Sequence, residues 1–140
     1  MTQQTVVLIK PDGFAKKVVG QVIDRFERAG LSLVALKMVR LTKEILEVWY
    51  AHHKDKPFFP SLCEQMMSTP VVAIVLEGEG AVEKVFGICG PTDPAEAPVG
   101  TIRKDFGIDK PNRVVHRSDS VEAAQKEIGL LFLPEELFSK

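Results

Sequence analysis

The segment NRVVHRSDS, residues 112–120, holds the side chain best suited to chemistry in this chain. His116 closes a short β-branched run, and Ser118, Asp119 and Ser120 follow it. A neutral imidazole has one acceptor nitrogen, is a good nucleophile near neutral pH and can carry a covalent intermediate. A hydrogen bond at its other nitrogen fixes the tautomer, and the hydroxyl and carboxylate groups nearby are of the right type to hold the ring. Glu127 lies about two turns into the helix that follows. The same residues also read as a capped helix, since Ser118 and the Asp119-x-x-Glu122 spacing are helix-start chemistry. The segment alone leaves both readings open.

Other chemistries lack their residues. His52 and His53 are adjacent on an expected helix end, where successive side chains diverge by about 100°, so they read as surface or capping residues rather than metal ligands. No set of three or four zinc ligands is evident, and there is neither a GxSxG elbow nor a GxxxxGK[ST] phosphate loop. Cations decide what a histidine nucleophile attacks. Lys10 follows the first apolar run, Arg103 lies in GTIRKDFG, and Thr92 adds a hydroxyl within GPTDP. With His116 they make a phosphate clamp, because charged donors act mainly by stabilising phosphoryl oxygens. Phe58 and Phe59 of KDKPFF offer an aromatic face for a base, or core packing.

The elements that must position these residues fit one domain spanning 1–140. The chain is 45% apolar with a net charge of −1, so bulk charge makes no case for nucleic-acid or membrane binding. Cys63 and Cys89 have no CxxC spacing and read as free or buried thiols of a reducing cytosol. The first residues lack a signal-peptide pattern, and no apolar run approaches the ~20 residues of a membrane span, so a cytoplasmic location is expected.

Residues 5–9, 31–39 and 71–78 read as strands, and Val114 and Val115 as a short last one. Lys10-Pro11-Asp12-Gly13 reads as a turn. Val18, Val22 and Phe26 recur at spacings of four in a helix that closes at Gly30. Thr42 caps a helix running to about His53, with Ile45, Leu46 and Trp49 inward. Further helices are expected at about 60–68, at 81–89 and from about Ser120, with a surface loop over 90–100. Alternating strands and helices point to a parallel α/β sheet. An antiparallel βαββαβ sheet with an inserted helical hairpin fits the same order, and the small strand number favours it.

IKPDG, KDKPFF, GPTDP, GTIRKDFG and VVHRSDSVEAAQKEI, in this order from Thr5 to about Phe138, closely resemble nucleoside diphosphate kinase. The resemblance implies an α+β, ferredoxin-like βαββαβ fold with a four-stranded antiparallel sheet, an inserted helical hairpin and an additional C-terminal helix. It implies ping-pong exchange, in which a nucleoside triphosphate phosphorylates His116 and the phosphohistidine passes the group to a nucleoside diphosphate. Mg2+ arrives with the nucleotide. By position, Lys10 matches a contact to the γ-phosphoryl, and Tyr50 a tyrosine near that lysine. Thr92 and Arg103 match phosphate contacts. Phe58 matches the aromatic under the base, and Leu62 lines that slot. Ser118 and Glu127 match the pair supporting the histidine, and Asp119 a carboxylate that meets Mg2+ through water. The resemblance also implies a homo-oligomer, a tetramer or hexamer built from a common dimer.

Three positions depart from the family pattern. Phe86 stands where an arginine contacts phosphate, a loss worth about 1.5–3 kcal/mol. Arg113 stands where an asparagine binds ribose and phosphates; its cation is expected to bind nucleotide and partly offset Phe86. Arg117 replaces a small residue after the histidine, and either lines the site mouth or faces water. The alternative is a phosphohistidine carrier or regulatory nucleotide-binding module on the same fold.

Overall fold

The structure, a computed structural model, describes residues 2–110 and 112–139. In chain order it runs β1 (Thr2–Ile9), α1 (Pro11–Ala15), α2 (Val19–Arg28), β2 (Ser32–Val39), α3 (Lys43–Trp49), α4 (Phe59–Met67), β3 (Val71–Glu79), α5 (Ala81–Cys89), α6 (Ile102–Phe106), β4 (Val115–Arg117) and α7 (Val121–Leu131). The sheet order is β2-β3-β1-β4, and every pairing is antiparallel. The parallel alternative therefore fails. Its signal, the alternation of strands and helices, does not separate the two topologies, because helices also cover both faces of this antiparallel sheet.

Strand alternation divides the core in two. Val6, Leu8, Val71, Ala73 and Val75 face Leu46, Trp49, Phe59, Met66 and Ile128, from α3, α4 and α7. Val7, Ile9, Val72, Ile74 and Leu76 face Val22, Phe26, Val85 and Ile102, from α2, α5 and α6. The expected inward residues Val18, Val22 and Phe26 are all buried there.

Several boundaries differ from the pattern. Thr42 does cap α3, accepting from the Ile45 N–H at 3.2 Å, but α3 ends at Trp49 and a 3-10 turn, Ala51–His53, follows. The long loop contains a 3-10 turn at Pro94–Glu96. The helix α6 was not expected. It is one short turn-and-a-half capped by Thr101, whose side chain accepts from the Lys104 N–H at 3.3 Å. Lys10-Pro11-Asp12-Gly13 does not simply turn: it opens α1, with Pro11 in the first turn where its missing N–H costs nothing.

The junction of α1 with β4 sets the position of the site. Val114 is buried at φ 75°, a conformation that strains a β-branched residue. Its neighbours close a γ-turn, the Val115 N–H donating to the Arg113 carbonyl at 2.8 Å. Asp12 Oδ2 accepts the Val114 N–H at 2.8 Å, and the Lys10 N–H donates to the Val114 carbonyl at 2.8 Å. Gly13 allows this close approach, since a Cβ there meets Val114 Cγ1 at 2.8 Å and the Val114 carbonyl oxygen at 2.9 Å.

Two substitutions test this junction by urea unfolding at constant slope. Asp12→Ala removes a charge-assisted bond and is expected to cost about 1.5–3 kcal/mol. Gly13→Ala overpacks the turn and is expected to cost about 1–3 kcal/mol. Gly20→Ala, in α2 with nothing near its new methyl, should instead stabilise by about 0.5–1 kcal/mol. A neutral Gly13→Ala would mean the turn yields easily.

Candidate active site

His116 sits inside β4, opposite Leu8 of β1, rather than at a strand end. Its ring therefore lies on the face covered by α3 and α7. The Nε2–H donates to Glu127 Oε1 at 3.3 Å. An ionised carboxylate only accepts, so this contact assigns the proton to Nε2 and leaves the Nδ1 lone pair available. Ser118 Oγ donates to the same Glu127 oxygen at 2.7 Å and accepts the Val6 N–H at 3.4 Å. Glu127 is thus fixed from the sheet, and the imidazole from Glu127. Trp49 meets the ring edge-on, with centroids 5.1 Å apart at 70°. The helix-cap reading assigns the wrong residue: Ser120 caps α7, accepting the Ala123 N–H at 3.0 Å. Ser118 is left free to orient Glu127.

Cations gather beside this ring. Arg103 is 2% exposed. Its Nη1–H donates to the Gly90 carbonyl at 3.1 Å and its Nη2–H to the Val115 carbonyl at 2.9 Å, tying the Thr92 loop to β4. Gly90 has φ 92°, which glycine adopts freely, and this aims its carbonyl inward. Arg117, also buried, reaches the same carbonyl and pairs with Asp119 at 2.8 Å. It faces the cleft, not bulk water. Burial pushes the Arg103 guanidinium down to about 10, with Arg117 and Arg113 adding like charge. Burial also raises the Tyr50 phenol to about 12, so it stays a neutral donor.

Two adjoining clefts result. The first, of about 330 Å³, is lined by Tyr50, Thr92, Arg103, Arg113, His116, Asp119 and Glu127, together with Trp49, His52, His53 and Arg117. The second, of about 860 Å³, is lined by Lys10, Tyr50, Phe58, Leu62 and Arg113, with His53 and Asn112. Tyr50, His53 and Arg113 belong to both. Ser118 is buried behind His116. Phe58 is 49% exposed and presents an open ring, whereas its neighbour Phe59 is core. The structure thus brings every expected residue to one region.

Sequence reasoning missed several contributors. His53 was read as a surface or capping residue, yet it lines both clefts and lies 5.3 Å from the Phe58 ring, with His52 3.9 Å beyond. Trp49 was assigned only to the core. Asp12 and Gly13 had no role beyond a turn. An aromatic-rich run next to KDKPFF was the available signal for the histidines; the others needed tertiary contacts.

Chemically, the region joins an imidazole of fixed tautomer to buried cations and an open aromatic platform. Among the described residues, no group of three or more His, Cys, Asp or Glu is placed to hold a metal ion. The exposed carboxylate of Asp119 fits a looser role, meeting through water a cation that arrives with phosphates.

Comparison with known proteins gives a single family. A family model described as nucleoside diphosphate kinase matches residues 3–137. The chain is 51% identical over 136 residues to a nucleoside diphosphate kinase of Staphylothermus marinus, covering 97% of this chain and 96% of that one. It is 47% identical to one from Pyrococcus horikoshii, covering 98% and 89%. Among solved structures, the Aquifex aeolicus nucleoside diphosphate kinase superposes with a TM-score of 0.93 at 44% identity, covering 98% and 99%. A halophilic nucleoside diphosphate kinase of Halobacterium salinarum, in complex with CDP, superposes at 0.95 and 38% identity, covering 100% and 93%.

Lys10 gives a pH test of the site. It is 3% exposed, and burial, with Arg113 second, holds its ammonium down to about 8. The unfolded chain keeps this proton to about 10.5, so between the two values the unfolded state binds more protons and stability rises with pH. The gain is expected to reach at most about 3 kcal/mol. Urea unfolding from pH 7.5 to 10.5 should show it, and Lys10→Met should flatten it. A native curve that falls over this range would contradict the burial of the charge.

Proposed function

The chain belongs to the nucleoside diphosphate kinase family and carries out that family's transfer of a phosphoryl group from a nucleoside triphosphate to a nucleoside diphosphate; we propose that His116 is the residue through which it passes. The observation that carries this reading is the Ser118–Glu127–His116 chain, which fixes the proton on Nε2 and frees Nδ1. Nδ1 attacks the γ-phosphorus, the bond to the bridging oxygen breaks, and the diphosphate leaves. A β-phosphate oxygen of a second nucleoside diphosphate then attacks the phosphohistidine and releases the ring. The phosphorylated ring carries positive charge while Nε2 keeps its proton, and Glu127 stabilises that state.

Phosphoryl transfer depends on alignment and charge neutralisation more than on acid–base work. We assign Lys10, Thr92, Arg103 and Arg113 to the nucleotide phosphates, with Tyr50 as a neutral donor beside them. Phe58 stacks on the base, and Leu62 closes the slot. Stacking reads any base, because every base has a π-face. The reaction class generally needs a divalent cation; Mg2+ carried by the nucleotide, met by Asp119 through water, is the proposed one. It neutralises phosphate charge when bound. A homo-oligomer, tetramer or hexamer, and a cytoplasmic location belong to the same proposal. The half-exposed Leu36 and Met38 on edge strand β2 and the free, buried Cys63 and Cys89 are consistent with them.

The deciding experiment incubates the protein with γ-labelled ATP and Mg2+, then chases with unlabelled GDP. Acid-labile label on the native protein that chases into GTP is expected, and none on His116→Ala. Glu127→Gln, which leaves the ring less well held, is expected to slow labelling about 10- to 100-fold. Label surviving in His116→Ala would move the nucleophile elsewhere. For Arg113, a nucleoside diphosphate complex should show its guanidinium on the phosphates; one turned away from them overturns that assignment.

A further inference from the structure

Arg117 follows the nucleophile directly, and the pleat of β4 sends the two side chains to opposite faces of the sheet. Its partner on β1 is Val7, on the face covered by α5 and α6. The guanidinium carbon lies 3.6 Å from the centre of the Phe86 ring of α5, which is 45% exposed. Nη1–H donates to Asp119 Oδ1 at 2.8 Å, Nη2–H reaches the Gly90 carbonyl at 3.4 Å, and Nε is buried without a partner. Although buried, Arg117 lines the same cleft as His116, Thr92 and Arg103.

A buried charge is costly unless it is paired. Here the paired carboxylate is 81% exposed, so water screens it and weakens what it returns. Arg103 and Arg113 lie close enough to add charge of the same sign. Such a group gains most from an anion that enters the cleft and accepts charge-assisted bonds from its remaining donors. The Phe86 ring, meanwhile, fixes the guanidinium plane without using any N–H, since a cation binds an aromatic face through the ring quadrupole.

We propose that Arg117 is a phosphate-binding residue of the nucleotide site: seated on Phe86 and steadied by Asp119, it donates to an oxygen of the nucleotide diphosphate from the α5–α6 side of the cleft. The inference rests on the nucleotide reading of that cleft. It gives Phe86 a part as platform for a cation supplied from the neighbouring strand. It also predicts that the cation can be moved: an arginine grown from position 86 starts beside the place where the Arg117 guanidinium now lies.

The test measures ADP and adenosine as competitors of a fluorescent adenine nucleotide, with thermal melts as the check on folding. Arg117→Gln is expected to weaken ADP about 10- to 100-fold, the range for a lost charge-assisted bond, and to leave adenosine within about twofold. Phe86→Leu should weaken ADP about two- to fivefold. Phe86→Arg combined with Arg117→Gly should recover most of the loss seen in Arg117→Gln. ADP affinity unchanged in Arg117→Gln, or ADP and adenosine weakened alike, overturns the proposal in favour of a purely structural arginine. Where Arg117→Gln does not fold, the relocated pair decides: native-like ADP affinity supports the proposal, and a folded protein that has lost ADP overturns it. A native protein that binds no ADP would instead bring down the nucleotide reading itself.

Discussion

The turn at Val114 is the constraint on which the site depends. A β-branched residue at φ 75° is strained on the order of 1–3 kcal/mol. It persists because Asp12 accepts its N–H and Lys10 donates to its carbonyl. The turn sets the phase of β4. One residue of slip would carry His116 to the opposite face, away from Glu127 and Trp49, and bring Arg117 in its place. The close packing of Gly13 on Val114 and the register of Leu8 with His116 are therefore parts of one device. It couples the first helical turn of the chain to His116, more than a hundred residues later.

That device also explains how one short edge strand serves two sides of a cleft. His116 looks toward α7, where Ser118 and Glu127 hold its tautomer. Arg117 looks toward α5 and α6, where Phe86, Gly90 and Arg103 lie. The Gly90 carbonyl accepts from both Arg103 and Arg117, so hydrogen bonds tie the Thr92 loop, Arg103 and β4 together. The cations here are buried more deeply than folding alone favours. Lys10 and Arg103 are held below their ordinary protonation ranges by burial. A buried cation of this kind costs the empty protein some stability and gains from an anion that enters beside it.

Much of this was legible in the residues. Apolar spacing located the strands β1, β2 and β3 and the helices α2, α4, α5 and α7, since burial imposes a period on any element that packs on one face. The motifs singled out His116, Ser118, Glu127, Lys10, Thr92 and Arg103, which the fold gathers in one region. Membrane spanning finds no support among the described helices, none of which is long and apolar enough.

Other features were decided only by tertiary packing. Periodicity does not record strand direction; strand number and the family resemblance favoured an antiparallel sheet, and the registers of β1 with β3 and β4 and of β2 with β3 show it. That Ser118 serves Glu127 instead of the start of α7 depended on where Glu127 came to rest. Trp49 looked like an ordinary core residue because its neighbour across the cleft, His116, comes from β4. Arg117 was ambiguous for the same reason. A single sequence states which groups are available and at what spacing along the chain. Which of them share a face, lose their water and meet a partner is set by long-range contacts such as Asp12 with Val114, and no local pattern contains those.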